Sequence, residues 1–207
     1  GAFRKTMDAV GWAHELGLPL QINTTLCGMN ADRLEEMAEF VGGLDIVFWE
    51  VFFLVPMGRG AALGGLQASQ CERLFDVLHR AQTSRRFVVK VTEAPHYRRH
   101  VALRQGGGRP AASAPVTQMP AMLTRSEGPG HTIGLAPRGV NAGNGFLFVS
   151  HQGDVYPSGF LPMKAGNVRQ EPLDALYRGH ELFRALRDPE RLHGRCGRCE
   201  FRRICGG

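Results

Sequence analysis

The chain has 207 residues, 43% hydrophobic and 21% charged, with a formal net charge of +6. That is enough apolar material for a real core and excludes wholesale disorder, while no apolar run reaches the roughly 18–20 residues of a membrane span. The positive excess is carried by arginine, scattered along the chain rather than gathered with aromatics on one face, which speaks against nucleic acid as the partner.

Residues 3–16 place Phe3, Met7, Val10 and Trp12 to Leu16 at helical spacing, and Gly17 with Pro19 ends that helix. The segment 20–26, Leu-Gln-Ile-Asn-Thr-Thr-Leu, reads as a strand. Asn30 then serves as the expected N-cap of a helix carrying Leu34, Met37, Ala38 and Val41, which Gly42-Gly43 stops. Residues 45–55 are almost continuously apolar, β-branched and aromatic, the pattern of a strand buried on both faces of a parallel sheet. Within them, Glu50 needs a partner or a polar lumen. Pro56 to Gly60 is the following loop, Ser69 the expected cap of a third helix, and residues 86–92 a third strand.

This alternation of helix and strand predicts an α/β fold with a parallel sheet or part of a β/α barrel. Three strands cannot close a barrel, so residues 1–104 are expected to be its second half, within a fragment of a longer chain. Residues 105–140, with Gly106-Gly107-Gly108 and several prolines but no apolar period, read as a flexible linker or a lid. From 141 a small second domain is expected: a hairpin over Phe146 to Tyr156, one or two short helices over 172–186, then a cysteine cluster.

Of the five cysteines, Cys196, Cys199 and Cys205 form C-x2-C-x5-C. Three thiols so spaced converge readily on one ion or cluster, and thiolates select zinc or iron–sulfur over hard cations. Their clustering also reads as a reduced compartment, hence a cytoplasmic protein. Arg195, Arg198, Arg202 and Arg203 would offset thiolate charge. His193 makes a Cys3His zinc site conceivable. Iron–sulfur clusters ordinarily take four cysteines, and three are visible here. The spacing alone leaves both open; the rival to an enzyme is a zinc-ribbon binding module fused to an α/β domain.

The stretch Phe148-Val-Ser-His-Gln-Gly-Asp-Val-Tyr-Pro-Ser158-Gly159, then Gly166-Asn167-Val168, then a Leu-x-x-Leu-Tyr helix, then C-x2-C-x5-C, resembles a SPASM domain, the auxiliary iron–sulfur extension of radical S-adenosylmethionine (SAM) enzymes. Residues 1–90 are similar to the last strands of the partial (β/α)6 radical SAM barrel. The resemblance lies nearest the branch of haem d1 and alternative haem biosynthesis enzymes. It covers nearly the whole chain except 105–140.

The resemblance implies a radical SAM oxidoreductase-type enzyme when full length. A reduced cluster gives one electron to SAM, and the 5′-deoxyadenosyl radical so formed abstracts hydrogen from a tetrapyrrole or peptide substrate. A ferredoxin or flavodoxin would supply the electron. It also implies an auxiliary [4Fe–4S] cluster on Cys196, Cys199 and Cys205. Ligands in such folds sit at the carboxyl ends of strands, which marks Asn23, Thr25, Gly58 and Arg59 for the cofactor and Glu93 and His96 for substrate. Two departures matter. The C-x3-C-x2-C motif of the SAM-cleaving cluster is absent, so the polypeptide by itself is expected to be inactive. Ser158 stands where many such hairpins carry a cysteine, so the fourth cluster ligand comes from elsewhere or the site is open.

Overall fold

The computed structural model describes residues 1–104 and 140–207. The expected linker or lid at 105–140 lies outside them except for Val140. The fold is mixed α/β and divides into two compact units, and the described part of each is residues 1–94 and residues 95–104 with 140–207. The expected domain boundary at 104 and this division differ by one helix.

In the first unit, α1 (Ala2–Glu15), β1 (Gln21–Leu26), α2 (Leu34–Gly42), β2 (Phe48–Phe53), α3 (Ala68–Ser84) and β3 (Val88–Thr92) alternate. The three strands form one parallel sheet in the order β1-β2-β3. The ends of the elements follow local chemistry. Gly17, at φ 66°, turns the chain out of α1, with Leu18 N–H donating back to Ala13 O at 2.8 Å. β2 is shorter than the apolar run: Asp45 adopts φ 46° and the strand begins at Phe48.

Two expected caps differ. α3 opens with a reciprocal Gln67–Gln70 capping box, so Ser69 lies inside the helix. Asn30 holds the N-cap position of the 3-10 turn Ala31–Arg33 that leads into α2, but it makes no side-chain cap hydrogen bond. Its side chain folds back, accepting from Cys27 N–H at 2.9 Å and donating to Thr25 O at 2.9 Å.

Strand alternation sorts β2 into two faces. Trp49, Val51 and Phe53 point to the helical side, where Phe53 packs on Phe75 of α3 with ring centroids 5.3 Å apart. Trp49 is fully buried, edge-on to Phe87 at 6.2 Å, and its Nε1–H donates to Thr24 Oγ1 at 2.9 Å. Phe48 and Glu50 face the other way. Across the helical layer, Arg80 of α3 pairs with Glu35 of α2 at 2.6 Å, and Arg85 with Glu39. The apolar stripe expected on α1 is not buried: Val10 is, but Phe3, Trp12 and Leu16 are exposed.

In the second unit, α4 (Tyr97–Arg104) comes first. The short strands β4 (Asn141–Ala142) and β5 (Gly145–Phe146) pair together. The hairpin follows as β6 (Phe148–Val149) and β7 (Asp154–Tyr156), antiparallel, with β8 (Gly166–Asn167) added on the β7 side. Its turn needs Gly153, at φ 87°, where an added Cβ would meet Asn167 Oδ1 at 2.9 Å. Helices α5 (Leu173–Gly179) and α6 (Glu181–Arg187) close a small core of Val155, Ala165, Leu176 and Phe183. Then come α7 (Gly194–Arg198) and α8 (Arg202–Cys205), which carry the cysteines. No helix among the described residues is long and apolar enough to cross a membrane.

Candidate functional site

Register places Asn23, Glu50 and Lys90 in one row across the sheet, on the face away from the helices. Glu50 is 9% exposed and takes three donors: Lys90 Nζ at 2.6 Å, Thr92 Oγ1 at 2.8 Å and Gln21 Nε2 at 3.0 Å. Gln21 Nε2 also donates to Asn23 Oδ1 at 2.7 Å. The partner that Glu50 requires is therefore Lys90, which the sequence did not single out. Asn23 and Thr25 are exposed on this same polar face.

Gly58 and Arg59 open a 3-10 helix (Gly58–Leu63) after β2 and are exposed. Gly58 adopts φ 54°, a backbone requirement for glycine, with nothing within 4 Å of an added Cβ. The end of this segment returns to the loop after β1, where Gly28 N–H donates to Gly64 O at 2.8 Å. While Asn23 is mid-strand beside Glu50, Thr25, next to last in β1, and Gly58–Arg59 after β2 thus lie toward the same carboxyl end of the sheet. Glu93 follows β3 there with φ 63°, a sparsely populated conformation for a residue with a side chain, and partial desolvation raises its pKa. His96 is half-buried in the second unit, its backbone carbonyl accepting from Arg99 and His100 N–H at the start of α4. Cys27 and Cys71 are buried, and burial pushes the Cys71 thiol up.

The three clustered cysteines lie on a tight succession of turns. Cys199 N–H donates to Cys196 O at 3.1 Å, Arg202 N–H to Cys199 O at 3.2 Å, and Cys205 N–H to Phe201 O at 2.8 Å. Phe201 is buried and anchors the turn. Cys196 is exposed, while Cys199 and Cys205 are half-buried. Burial raises the Cys205 pKa, against a backbone hydrogen bond from Gly207 and the charge of Arg98, which lower it. Among the described residues, no group of three or more His, Cys, Asp or Glu side chains is gathered to hold a metal ion, so binding would have to draw these thiols together and displace their protons. By chemistry the donor set fits a soft, thiolate-held centre and supplies three ligands.

Two of the arginines expected to offset that charge have another partner. Arg202 and Arg203 both bind Glu190, at 2.8 and 2.7 Å, and hold its carboxyl below the usual range. Arg98 was missed by sequence reasoning. It reads as one of a run of basic residues, and 107 positions separate it from Cys205. Ser158 is 7% exposed, and its Oγ accepts from Phe160 N–H at 3.2 Å, so the hydroxyl serves the turn after β7.

Residues 141–200 match the family model described as SPASM, an iron–sulfur cluster-binding domain. The chain carries a SPASM domain. The match contains Cys196 and Cys199 and stops before Cys205. The resemblance to radical SAM/SPASM proteins extends beyond this domain to the whole chain. It is 34% identical over 207 residues to an AdoMet-dependent heme synthase of Methanosarcina barkeri, covering all of this chain and 55% of that protein. It is 32% identical over 209 residues to an AdoMet-dependent heme synthase of Nitratidesulfovibrio vulgaris, covering all of this chain and 53% of that protein. A pre-heme d1 synthase of Dinoroseobacter shibae is 24% identical over 222 residues, again across all of this chain and 51% of the relative. The chain spans about half the length of the curated relatives it matches. The branch that the sequence resembles is the branch these relatives represent.

Proposed function

We propose that this chain is the carboxyl-terminal part of a cytoplasmic radical SAM enzyme that modifies a tetrapyrrole, with an auxiliary [4Fe–4S] cluster in its SPASM domain. The observation that carries the reading is the C-x2-C-x5-C set at the end of a domain that matches an iron–sulfur binding family. The names of the relatives favour a tetrapyrrole over a peptide substrate.

In this reading the first unit is the second half of a partial barrel, and the polar face of its sheet lines the cavity. Asn23 and Thr25 present an amide and a hydroxyl for the ribose or amino-acid part of SAM. Gly58 permits close backbone approach, and the exposed Arg59 guanidinium suits a carboxylate. Lys90 orients Glu50 by a 2.6 Å contact. Glu93 and His96 face substrate, where a partly desolvated carboxyl is poised to hold or accept a proton. In the SPASM domain, Cys196, Cys199 and Cys205 hold the auxiliary cluster. Its fourth position is filled from outside this set or is open to substrate. When bound, such a cluster supplies one-electron chemistry or a Lewis-acidic iron, and a ferredoxin or flavodoxin serves as reductant.

The test is metal analysis of the anaerobically purified chain. Iron with sulfide, lost on changing any of Cys196, Cys199 or Cys205 to Ala, is the expected result. Zinc at one per chain with no iron would replace this reading with a zinc-ribbon module. The same preparation supplied with dithionite and SAM should release no 5′-deoxyadenosine, because the five cysteines contain no C-x3-C-x2-C.

A further inference from the structure

We propose that Arg98 and Asn141 form a clamp that positions the third thiol, Cys205, and sets a positive charge beside the cluster. This inference rests on the iron–sulfur reading of the three cysteines. Arg98, on α4, sends Nη1 to Asn141 Oδ1 at 3.0 Å and to the Cys205 carbonyl at 3.3 Å, and Nη2 to the Val140 carbonyl at 2.8 Å. Asn141 Nδ2 donates to the same Cys205 carbonyl at 2.9 Å. Two donors thus converge on one oxygen, from residues 107 and 64 positions away in sequence.

That convergence fixes the backbone from which the Cys205 side chain leaves. The turn that follows is equally constrained. Gly206 adopts φ 82°, and a Cβ there would fall 2.1 Å from Asn141 Nδ2. Only a residue without a side chain lets the amide sit so close. The cysteine loop is therefore seated on Asn141 and cannot drift without losing the two hydrogen bonds to the Cys205 carbonyl.

Every acceptor that these bonds give Arg98 is a neutral oxygen: one side-chain amide and two backbone carbonyls. Arg202 and Arg203, by contrast, share the carboxylate of Glu190. A guanidinium is too basic to deprotonate, so its field acts on whatever negative charge develops at the thiolates. A nearby cation favours the reduced, more negative form of a cluster.

The experiment uses the full chain, loaded anaerobically with ferrous iron and sulfide. Two quantities are read. One is the midpoint potential in an EPR-monitored dithionite titration. The other is the rate of iodoacetamide alkylation of Cys205 in the metal-free protein, followed by peptide mass spectrometry. Arg98→Met should shift the potential to more negative values. Arg98→Lys should keep the potential, because charge is retained, while alkylation rises severalfold as the three-way contact is lost. Asn141→Asp keeps an acceptor for Arg98 but cancels its charge, so the potential should fall even if Arg98→Met does not fold. Parent potentials in both Arg98→Met and Asn141→Asp, or an unchanged Cys205 alkylation rate in Arg98→Lys, would overturn the proposal. A parent chain that takes up no iron would overturn the iron–sulfur reading instead, and the alkylation rates would still decide the clamp.

Discussion

The two units solve the same problem by different means. In the first, a parallel sheet is backed by α2 and α3, and its central strand is almost wholly buried. In the second, a core of four buried residues is surrounded by two- and three-residue strands and short helices, held by specific polar contacts. Tyr177 illustrates the second style. Its hydroxyl accepts from Gly145 N–H at 3.0 Å, its ring lies 4.7 Å from the Arg187 guanidinium carbon, and its carbonyl accepts from Arg187 at 2.7 Å. The difference teaches where each unit is vulnerable. Area burial is non-directional and tolerates polar change at the surface. A network of buried donors and acceptors penalises the loss of any one partner by leaving the others unsatisfied.

The largest effect that would test this contrast is in the first unit. Trp49 is completely buried and its indole N–H is hydrogen-bonded. Trp49→Ala should cost about 3–5 kcal/mol, from lost transfer free energy and the cavity left behind. Urea unfolding followed by far-UV circular dichroism gives the number. The sharper measurement is iron uptake at low urea, which the contrast requires to survive in this variant. If iron binding is lost in step with the sheet, the units do not have separate sources of stability.

A smaller effect is expected at Lys90. It is the cationic partner of Glu50, a carboxylate 9% exposed in the middle of β2. Lys90→Met leaves Glu50 with Gln21 and Thr92 as donors but no countercharge. The cost should be about 1–3 kcal/mol, the range for leaving a buried polar group inadequately satisfied. The double variant Lys90→Met with Glu50→Gln should recover part of it, since the buried charge is gone. A Lys90→Met protein as stable as the parent at neutral pH would mean that solvent, not Lys90, carries the charge. The polar face of the sheet would then be far wetter than the burial of Glu50 implies.

How much of this was legible in the sequence divides along the same line. The alternation of the first unit was readable because burial imposes period and composition on each element, and β2 announces itself by its unbroken apolar run. The existence of the hairpin and the cysteine turns was also readable, from Gly153 and the C-x2-C spacing. The caps of α3 and the 3-10 turn before α2 were not. There, glutamine and asparagine side chains chose partners by three-dimensional proximity, and Ser69 and Asn30 looked equally suitable by type. Lys90 and Arg98 were invisible for a stronger reason. Each makes its decisive contact with a residue distant in sequence, and neither contact leaves a local pattern. Nor is the exposure of Trp12 and Phe3 a property of their spacing; apolar periodicity states which face seeks burial, not whether anything covers it.

The smallest effect is a pH dependence confined to the hairpin of the second unit. Asp154 on β7 receives Lys164 Nζ at 2.6 Å and Asn167 Nδ2 at 2.8 Å. Lys164 first, and Asn167 second, hold its carboxyl below the ordinary aspartate value of 3.8. The sign follows from linkage. A carboxyl whose folded pKa is depressed contributes stability that is fully present above its unfolded pKa and is lost as pH falls through the folded one. The second unit should therefore hold its stability at neutral pH and soften below about pH 4, near the unfolded value. Because the Lys164 end of the ion pair is exposed, the effect is modest and should shrink with added salt. Two-dimensional NMR of the hairpin amides between pH 6 and 2 would resolve it from the first unit, where Glu93 shifts in the opposite direction. Asp154→Asn should flatten the acid limb for Val155 and Gly166, whose register the Asp154–Asn167 pair borders. An unaltered limb in that variant would place the acid sensitivity elsewhere, with the Glu190–Arg202–Arg203 cluster beside the cysteines the next group to test.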